Sequence, residues 1–287
     1  MFGFININKP SGITSHDVVS FLRKLFNVKK IGHTGTLDPM ANGVLPIAIG
    51  DATRLIEYLS QDKEYTAVVK FGESTDTYDK EGNITFKSDI VIAKSDLENV
   101  LHNFRGEILQ KPPVYSALKK NGKKLYEYAR TGKSVEIEPR KVIVEKLDLL
   151  SFKDNIAELK IKCSKGTYIR SIANDLGEVL KCGAHLIGLT RTVAGDFFIE
   201  NSITLDDLKN AENKNDFIEY PLNYFSHLKQ VEINADECLK VKYGQNFKSK
   251  KFTNCNNKLI ILTNCNKIIA VTHICEDKTF LEKVFVK

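Results

Sequence analysis

The chain has 287 residues, 42% hydrophobic and 27% charged, enough for a substantial core and typical of an ordinary globular protein. No apolar run approaches the ~20 residues of a membrane span, and the start (Met1-Phe2-Gly3-Phe4-Ile5) lacks a basic segment leading into a signal-type core. Six cysteines without a CxxC pair fit reduced thiols, so a cytoplasmic protein is expected. The formal charge of +6 is uneven: residues 231–287 hold ten Lys, no Arg and six acids, or +4, leaving +2 for the first 230. A small basic unit on a near-neutral body points to a polyanion partner. Nucleic acid is favoured over membrane, because no basic amphipathic helix is evident.

In chain order, a short strand ends at the turn Asn8-Lys9-Pro10-Ser11-Gly12. A helix follows, with Ser15 as its N-cap and Val18, Phe21, Leu22, Leu25 and Phe26 on one face. After a loop at residues 32–39 comes an apolar strand at Val44–Ile49, then a short helix capped by Asp51 and carrying Leu55, Ile56 and Leu59. Tyr65–Phe71 alternates as a strand, Ser74–Gly82 is a polar connection, and Ser95 opens a helix through Phe104. Gln110–Gly122 is a Pro- and Lys-rich loop, with a short helix at Leu125–Arg130 stopped by Gly132. Strands at Val142–Leu150 and Ile156–Cys163 precede a helix from Tyr168 to Leu180, and Lys209–Asp216 reads as connecting structure.

Beyond Tyr220-Pro221-Leu222 the pattern becomes short strands between Asn- and Lys-rich turns. There Thr253-Asn254-Cys255-Asn256 recurs as Thr263-Asn264-Cys265-Asn266, read as two similar turns. Without a strict βαβ rhythm, the fold class expected is α+β around a mixed, largely antiparallel sheet. The expected division is a body at 1–230 and a small β-rich unit at 231–287.

Gly32-His33-Thr34-Gly35-Thr36-Leu37-Asp38-Pro39 places an acid and an imidazole in one short loop. Gly32 and Gly35 are expected to take dihedrals other residues resist, and Pro39 to hold Asp38 extended. A carboxylate against apolar Leu37 and Val44–Ile49 is costly to bury alone, so the loop calls for a cation from elsewhere. Read by itself, the segment is more readily a surface turn. In Lys165-Gly166-Thr167-Tyr168-Ile169-Arg170-Ser171, Gly166 breaks a strand and Arg170 could supply the planar fork that holds such a carboxylate. The alternative is an arginine on an exposed helix face.

Tyr65, in Lys63-Glu64-Tyr65-Thr66-Ala67, could stack on a base and offer a phenol for proton transfer, or be a half-buried sheet tyrosine. Ser116-Ala117-Leu118-Lys119 matches an SxxK pattern, but the partner signatures of serine acyltransferases are missing. Cys255, Cys265, His273 and Cys275 lack the close ligand pairs of a zinc knuckle, and no metal site is expected.

Taken together, these segments resemble the bacterial tRNA pseudouridine-55 synthases, the TruB family. The matching pieces begin with Asn8-Lys9-Pro10-Ser11-Gly12-Ile13-Thr14-Ser15 and the loop ending in Asp38-Pro39. Lys63-Glu64-Tyr65-Thr66-Ala67, Thr75-Asp76-Thr77-Tyr78-Asp79 and Gln110-Lys111-Pro112-Pro113-Val114-Tyr115-Ser116-Ala117-Leu118-Lys119 follow. The last are Lys165-Gly166-Thr167-Tyr168-Ile169-Arg170, Gly183-Ala184-His185-Leu186 and Arg191-Thr192. They stand in family order over residues 3–198. Asn42 departs from a common threonine and Thr190 from a common arginine, the second able to weaken one RNA contact. Val241-Lys242-Tyr243-Gly244-Gln245 resembles the opening of the family's small RNA-binding PUA domain.

The resemblance implies a pseudouridine synthase fold and isomerisation of one uridine in the T-loop of tRNA. The N-glycosidic bond breaks, the uracil turns, and C5 bonds to C1′. Nothing enters or leaves, so no cofactor is called for. By the resemblance Asp38 is the catalytic carboxylate, paired and kept ionised by Arg170, and Tyr65 stacks on the uracil and is the candidate for helping remove the C5 proton. Leu189 and Tyr168 belong to the pocket, and His33 occupies space left by the extruded base or its partner. Lys9, Lys111, Lys119 and Lys120 would meet phosphates. The partner implied is tRNA, with no membrane and no obligate protein partner, and a monomer is expected. Two other readings stay open: a tRNA-binding RNA chaperone whose chemistry is secondary, and a base-removing glycoside hydrolase needing a second carboxylate to activate water.

Overall fold

The computed structural model of the chain describes residues 1–116, 118–120, 122–125, 128 and 135–286, without the side chains of Lys119 and Lys124. β1 (Gly3–Lys9) leads into α1 (Ser15–Phe26), the short β2 (Ile31–His33) and β3 (Asn42–Ile49). A 3-10 helix (Gly50–Tyr58) precedes β4 (Lys63–Phe71) and the hairpin of β5 (Glu73–Thr75) and β6 (Ile84–Lys87). After α2 (Lys94–Leu101) come β7 (Gly106–Gln110), the two-residue β8 (Lys119–Lys120) and β9 (Lys123–Lys124), then the long β10 (Arg140–Lys153) and β11 (Ile156–Cys163). α3 (Ile169–Val179) is followed by β12 (Ala184–Ala194), β13 (Phe197–Phe198), β14 (Ile203–Thr204) and α4 (Leu205–Asn210). The last elements are β15 (Lys229–Glu232), α5 (Ala235–Lys242), β16 (Leu259–Asn264), β17 (Lys267–Cys275) and β18 (Lys278–Val284).

The large sheet runs β14-β1-β3-β12-β4-β11-β10-β7, with β13 on β12 and β2 on β3. Its pairings are antiparallel except β1 with β14 and β3 with β12. On β4 the buried positions Tyr65, Ala67, Val69 and Phe71 alternate, as a strand with one face on a core requires. They join the core under α1, α2 and α3, with Leu22, Leu97 and Leu176 among its members. β1 and β3 bury both faces, and so read as continuous apolar runs. Ile5, Leu45 and Ile47 face the helices, while Phe4, Val44 and Ala48 join a second core behind the sheet.

That second core reaches across to Ile261, Ile268 and Val271 of the last strands, with Phe197 stacked on Tyr224 at a centroid distance of 4.0 Å. The four-stranded sheet β15-β16-β17-β18 begins at Lys229 and has a core of its own around Val241, Phe252 and Ile260.

Several local expectations change. Thr14, not Ser15, caps α1: its hydroxyl accepts from Asp17 N and the Asp17 carboxylate accepts from Thr14 N, a capping box. Ser15 is one residue inside and turned to the core. The N-cap of the 3-10 helix is Ile49 rather than Asp51, and Asp51 pairs with Lys30 at 2.7 Å. The segment at Lys209–Asp216 is partly helical, in α4 and in a 3-10 turn at Lys214–Phe217. The recurring tetrapeptide makes two unlike turns. Cys265 and Asn266, both left-handed, close the β16–β17 hairpin, whereas the first copy has Asn254 left-handed and Cys255 buried after a 3-10 turn. The expected helix at Leu125–Arg130 falls largely outside the described residues.

Candidate active site

The loop between β2 and β3 is held at several points, and each clamp is a side chain from a different element. Ser15 Oγ accepts from Leu37 N at 2.8 Å and donates to Leu37 O at 3.0 Å, which is why this serine lies inside the helix start. Arg191, completely buried on β12, donates to Val44 O at 2.7 Å, Gly35 O at 3.1 Å and Thr36 O at 3.4 Å. Gly12 N donates to Pro39 O at 2.8 Å. Neither Gly32 nor Gly35 is left-handed, contrary to expectation, and a Cβ on Gly35 would make only ordinary contact with Lys63 and Arg191, at 3.5 and 3.8 Å. The left-handed glycine that matters is Gly43, whose Cβ would meet Arg191 O at 2.3 Å across the parallel β3–β12 pair.

Lys9 is a further clamp, and this overturns the phosphate contact expected of it. The side chain is fully buried, and its ammonium donates to Ile13 O at 2.7 Å, Pro10 O at 2.8 Å and Pro39 O at 3.4 Å. Burial drives its pKa down to about 8, against the pull of Asp38. A lysine so enclosed fastens the turn to the loop and leaves no donor for RNA.

Fixed in this way, Asp38 presents its carboxylate, about one-third exposed, to Arg170 at the start of α3. Arg170 Nε lies 2.9 Å from Asp38 Oδ2, a charge contact without hydrogen-bond alignment, and Nη2 donates to Asp38 Oδ1 at 3.3 Å. The same guanidinium donates through Nη1 to buried Asp79 at 3.1 Å and to Thr77 O, and through Nη2 to Tyr115 O. Asp79 in turn accepts from Thr77 Oγ1 at 2.7 Å and from Glu81 N. Two carboxylates thus share one planar cation, and Asp79 fixes the side of the fork that Asp38 does not use. Tyr78, between the two anchoring residues, is left-handed, an uncommon state for an aromatic residue.

A cleft of about 710 Å³ opens over Asp38, with Tyr65, Tyr168, Leu189 and His33 in its wall. Tyr65 is buried on β4 opposite Arg191. Burial pushes its phenol pKa up, and the Arg191 guanidinium beside it opposes that shift. Tyr168 is raised by burial as well, and Gln110 grips its backbone from both sides, donating to Tyr168 O at 3.0 Å and accepting from Tyr168 N at 2.8 Å. His33 is half-buried, its Nδ1 has no hydrogen-bond partner among the described residues, and burial lowers its pKa, so the ring is neutral at neutral pH. Lys111 is exposed next to the cleft, its carbonyl accepting from Ser171 Oγ at 2.9 Å. The Lys119 side chain lies outside the described residues, and Lys120 donates to Glu136 O.

The structure therefore gathers Asp38, Tyr65, Arg170, Tyr168, Leu189 and His33 around one space. Asp79, Ser15, Gln110 and Arg191 were missed as parts of this architecture. Asp79 stood in the quoted Thr-Asp-Thr-Tyr-Asp segment, but nothing local separates it from Asp76, which only serves the turn by accepting from Asn83 N. Among the described residues, no three His, Cys, Asp or Glu side chains are placed to hold a metal ion, and His273 pairs instead with Glu282 at 2.8 Å. No helix among them is long and apolar enough to cross a membrane.

Comparison with known proteins places this geometry in context. Residues 23–169 match the model of the TruB family pseudouridylate synthase N-terminal domain, and residues 170–231 that of the tRNA pseudouridylate synthase B C-terminal domain. The chain is 51% identical over 210 residues to a tRNA pseudouridine synthase B of Francisella philomiragia, covering 72% of this chain and 70% of that protein. It is 42% identical to the same-named protein of Caldanaerobacter subterraneus over 98% of both chains, and 41% identical to that of Prochlorococcus marinus over 98% and 96%. Among solved structures, the crystal structure of a Cbf5-Nop10-Gar1 complex contains a similar chain. The TM-score is 0.75 at 27% identity, covering 99% of this chain and 85% of that one.

Proposed function

The chain belongs to the TruB family of pseudouridylate synthases, and we propose that it isomerises uridine to pseudouridine in the T-loop of tRNA, at position 55. The observation that carries this reading is the Asp38–Arg170–Asp79 array at the floor of a cleft lined by Tyr65. The reaction breaks the bond from C1′ to N1, turns the uracil, joins C1′ to C5, and moves the C5 proton away while N1 gains one. A carboxylate fixed by its loop and aimed by an arginine meets the reacting nucleotide; this is Asp38. Arg170 is positioned from the far side by Asp79, so its fork stays planar to the nucleotide when Asp38 engages the substrate. Tyr65 offers its ring to the uracil, and its phenol, under the field of Arg191, takes part in moving the C5 proton. Leu189 and Tyr168 close the walls and keep water from the activated sugar.

The target base starts inside a folded loop, and its extrusion costs a few kcal/mol of stacking. His33, neutral and at the cleft wall, is placed to fill the space it leaves. Lys111, Lys119 and Lys120 are the candidates for phosphate contacts. The small C-terminal unit adds a second RNA surface. We place the enzyme in the cytoplasm as a monomer acting without an obligate protein partner.

The test is to map pseudouridine in bulk tRNA after incubation with the purified protein. Pseudouridine at position 55 of the T-loop is expected, with no free uracil. Free uracil among the products would instead mark a base-removing hydrolase, and tight tRNA binding with no new pseudouridine would mark a chaperone.

A further inference from the structure

Lys63 stands at the start of β4, two residues before Tyr65, so both side chains leave the same face of the strand. It lines the cleft with Asp38, His33 and Tyr65. Unlike Lys160, which pairs with Glu64 at 3.0 Å, Lys63 has no carboxylate within ion-pair distance among the described residues. Its one hydrogen bond there is a long one, 3.3 Å, to Gln61 O. The neighbouring cation, Arg191, has its donors turned to the carbonyls of Val44, Gly35 and Thr36. It therefore adds positive field without offering itself to a ligand. Burial and Arg191 together press the Lys63 pKa down, as two like charges in a half-buried place must. An anion arriving between them relieves that repulsion, and Lys63 holds the free N–H groups to bind it.

We propose that Lys63 is a substrate-binding residue that grips the phosphodiester next to the extruded uridine while the uracil lies on Tyr65. The inference rests on the pseudouridine reading of this cleft. Two residues along a strand span roughly 6.5–7 Å, a distance suited to one side chain on a base and the other on the backbone that carries it. The site is also where a charge would be read late. A phosphate reaches Lys63 only once its nucleotide has left the loop stack, so the contact favours the flipped state over the stacked one.

The experiment compares wild-type enzyme with Lys63→Met and Lys63→Arg on full-length tRNA and on T-stem-loops. In the stem-loops, the phosphates flanking the target uridine are replaced one at a time by neutral methylphosphonates. For Lys63→Met the slope of log affinity against log salt should become shallower by roughly 0.7–0.9, one phosphate contact, and Lys63→Arg should restore it. One methylphosphonate should weaken wild-type binding about tenfold and leave Lys63→Met unaffected. Equal salt slopes in wild type and Lys63→Met, or losses from the methylphosphonates that are the same in both, would overturn the proposal. If Lys63→Met does not fold, the wild-type methylphosphonate series with Lys63→Arg decides: tolerance of every neutral linkage at full affinity overturns it. Wild-type enzyme that binds these RNAs yet forms no pseudouridine would instead count against the reading of the cleft itself.

Discussion

Asp38 and Asp79 divide one arginine between them, and their surroundings separate their roles. Asp79 is enclosed and has protein donors on both oxygens, whereas Asp38 keeps about a third of its surface open to the cleft. Asp38→Asn should therefore abolish turnover while leaving tRNA affinity within about tenfold, roughly 1.4 kcal/mol. Single-turnover pseudouridine formation measured beside filter binding checks both halves. A second acid is legible through its titration. Asp175 on α3 has its carboxyl pushed up to about 6, chiefly by burial, against an ordinary value of 3.8. Between those values the folded chain binds more protons than the unfolded one. The cost is thus fully present above pH 6 and relieved as pH falls towards 3.8. Asp175→Asn should stabilise the protein by about 1–2 kcal/mol at pH 7, after allowing for its partial exposure, and by nothing near pH 4. Urea unfolding of both proteins across that range is the measurement.

At the scale of elements, periodicity carried the strands and helices well, because burial on one face leaves a trace in consecutive residues. β4, β11, α1 and α3 were legible to within a few residues for that reason. Caps were less so: Thr14 and Ser15 are both good N-cap residues, and the choice is made by Leu37, which captures Ser15 from 22 positions away. The pairing of Asp38 with Arg170 was anticipated by charge logic and family order. Asp79 and Arg191 were not, because their partners lie in other elements and their own segments look like ordinary turn and strand. The register of β3 beside β12 illustrates the same limit. It sets Asn42, a departure from the family pattern, directly against Thr190, the other departure, and Gly43 against Arg191. Gly43→Ala, with its left-handed backbone and a Cβ 2.3 Å from Arg191 O, should destabilise by about 3 kcal/mol or more. Because the displaced Arg191 holds Gly35 and Thr36, turnover should fall further than the unfolded fraction explains, as thermal melts run beside activity will show.

At the scale of the molecule, the C-terminal sheet is not a loose appendage. Tyr58 Oη donates to Glu282 at 2.7 Å, Arg54 donates to Val284 O at 2.8 Å, and Ile261, Ile268 and Val271 complete the core behind β1 and β3. A chain ending near Tyr220–His227 would expose Phe4, Ala48 and Leu55 and disturb the Phe197–Tyr224 stack. Its melting temperature should drop by about 10 °C or more, so truncation confuses RNA binding with folding. Charge substitutions avoid that difficulty. Lys240, Lys242 and Lys248 are on the surface of the unit that carries +4, and none pairs with an acid among the described residues. Replacing all three by Gln should leave the melting temperature within a few degrees and preserve turnover on a short T-stem-loop. Affinity for full-length tRNA should fall, with the salt slope shallower by roughly 0.7–0.9 for each lysine that meets a phosphate. The measurement is affinity against salt for both RNAs. A slope on full-length tRNA identical to wild type would mean that these lysines are only solvated, and that the grip on tRNA lies in the catalytic body.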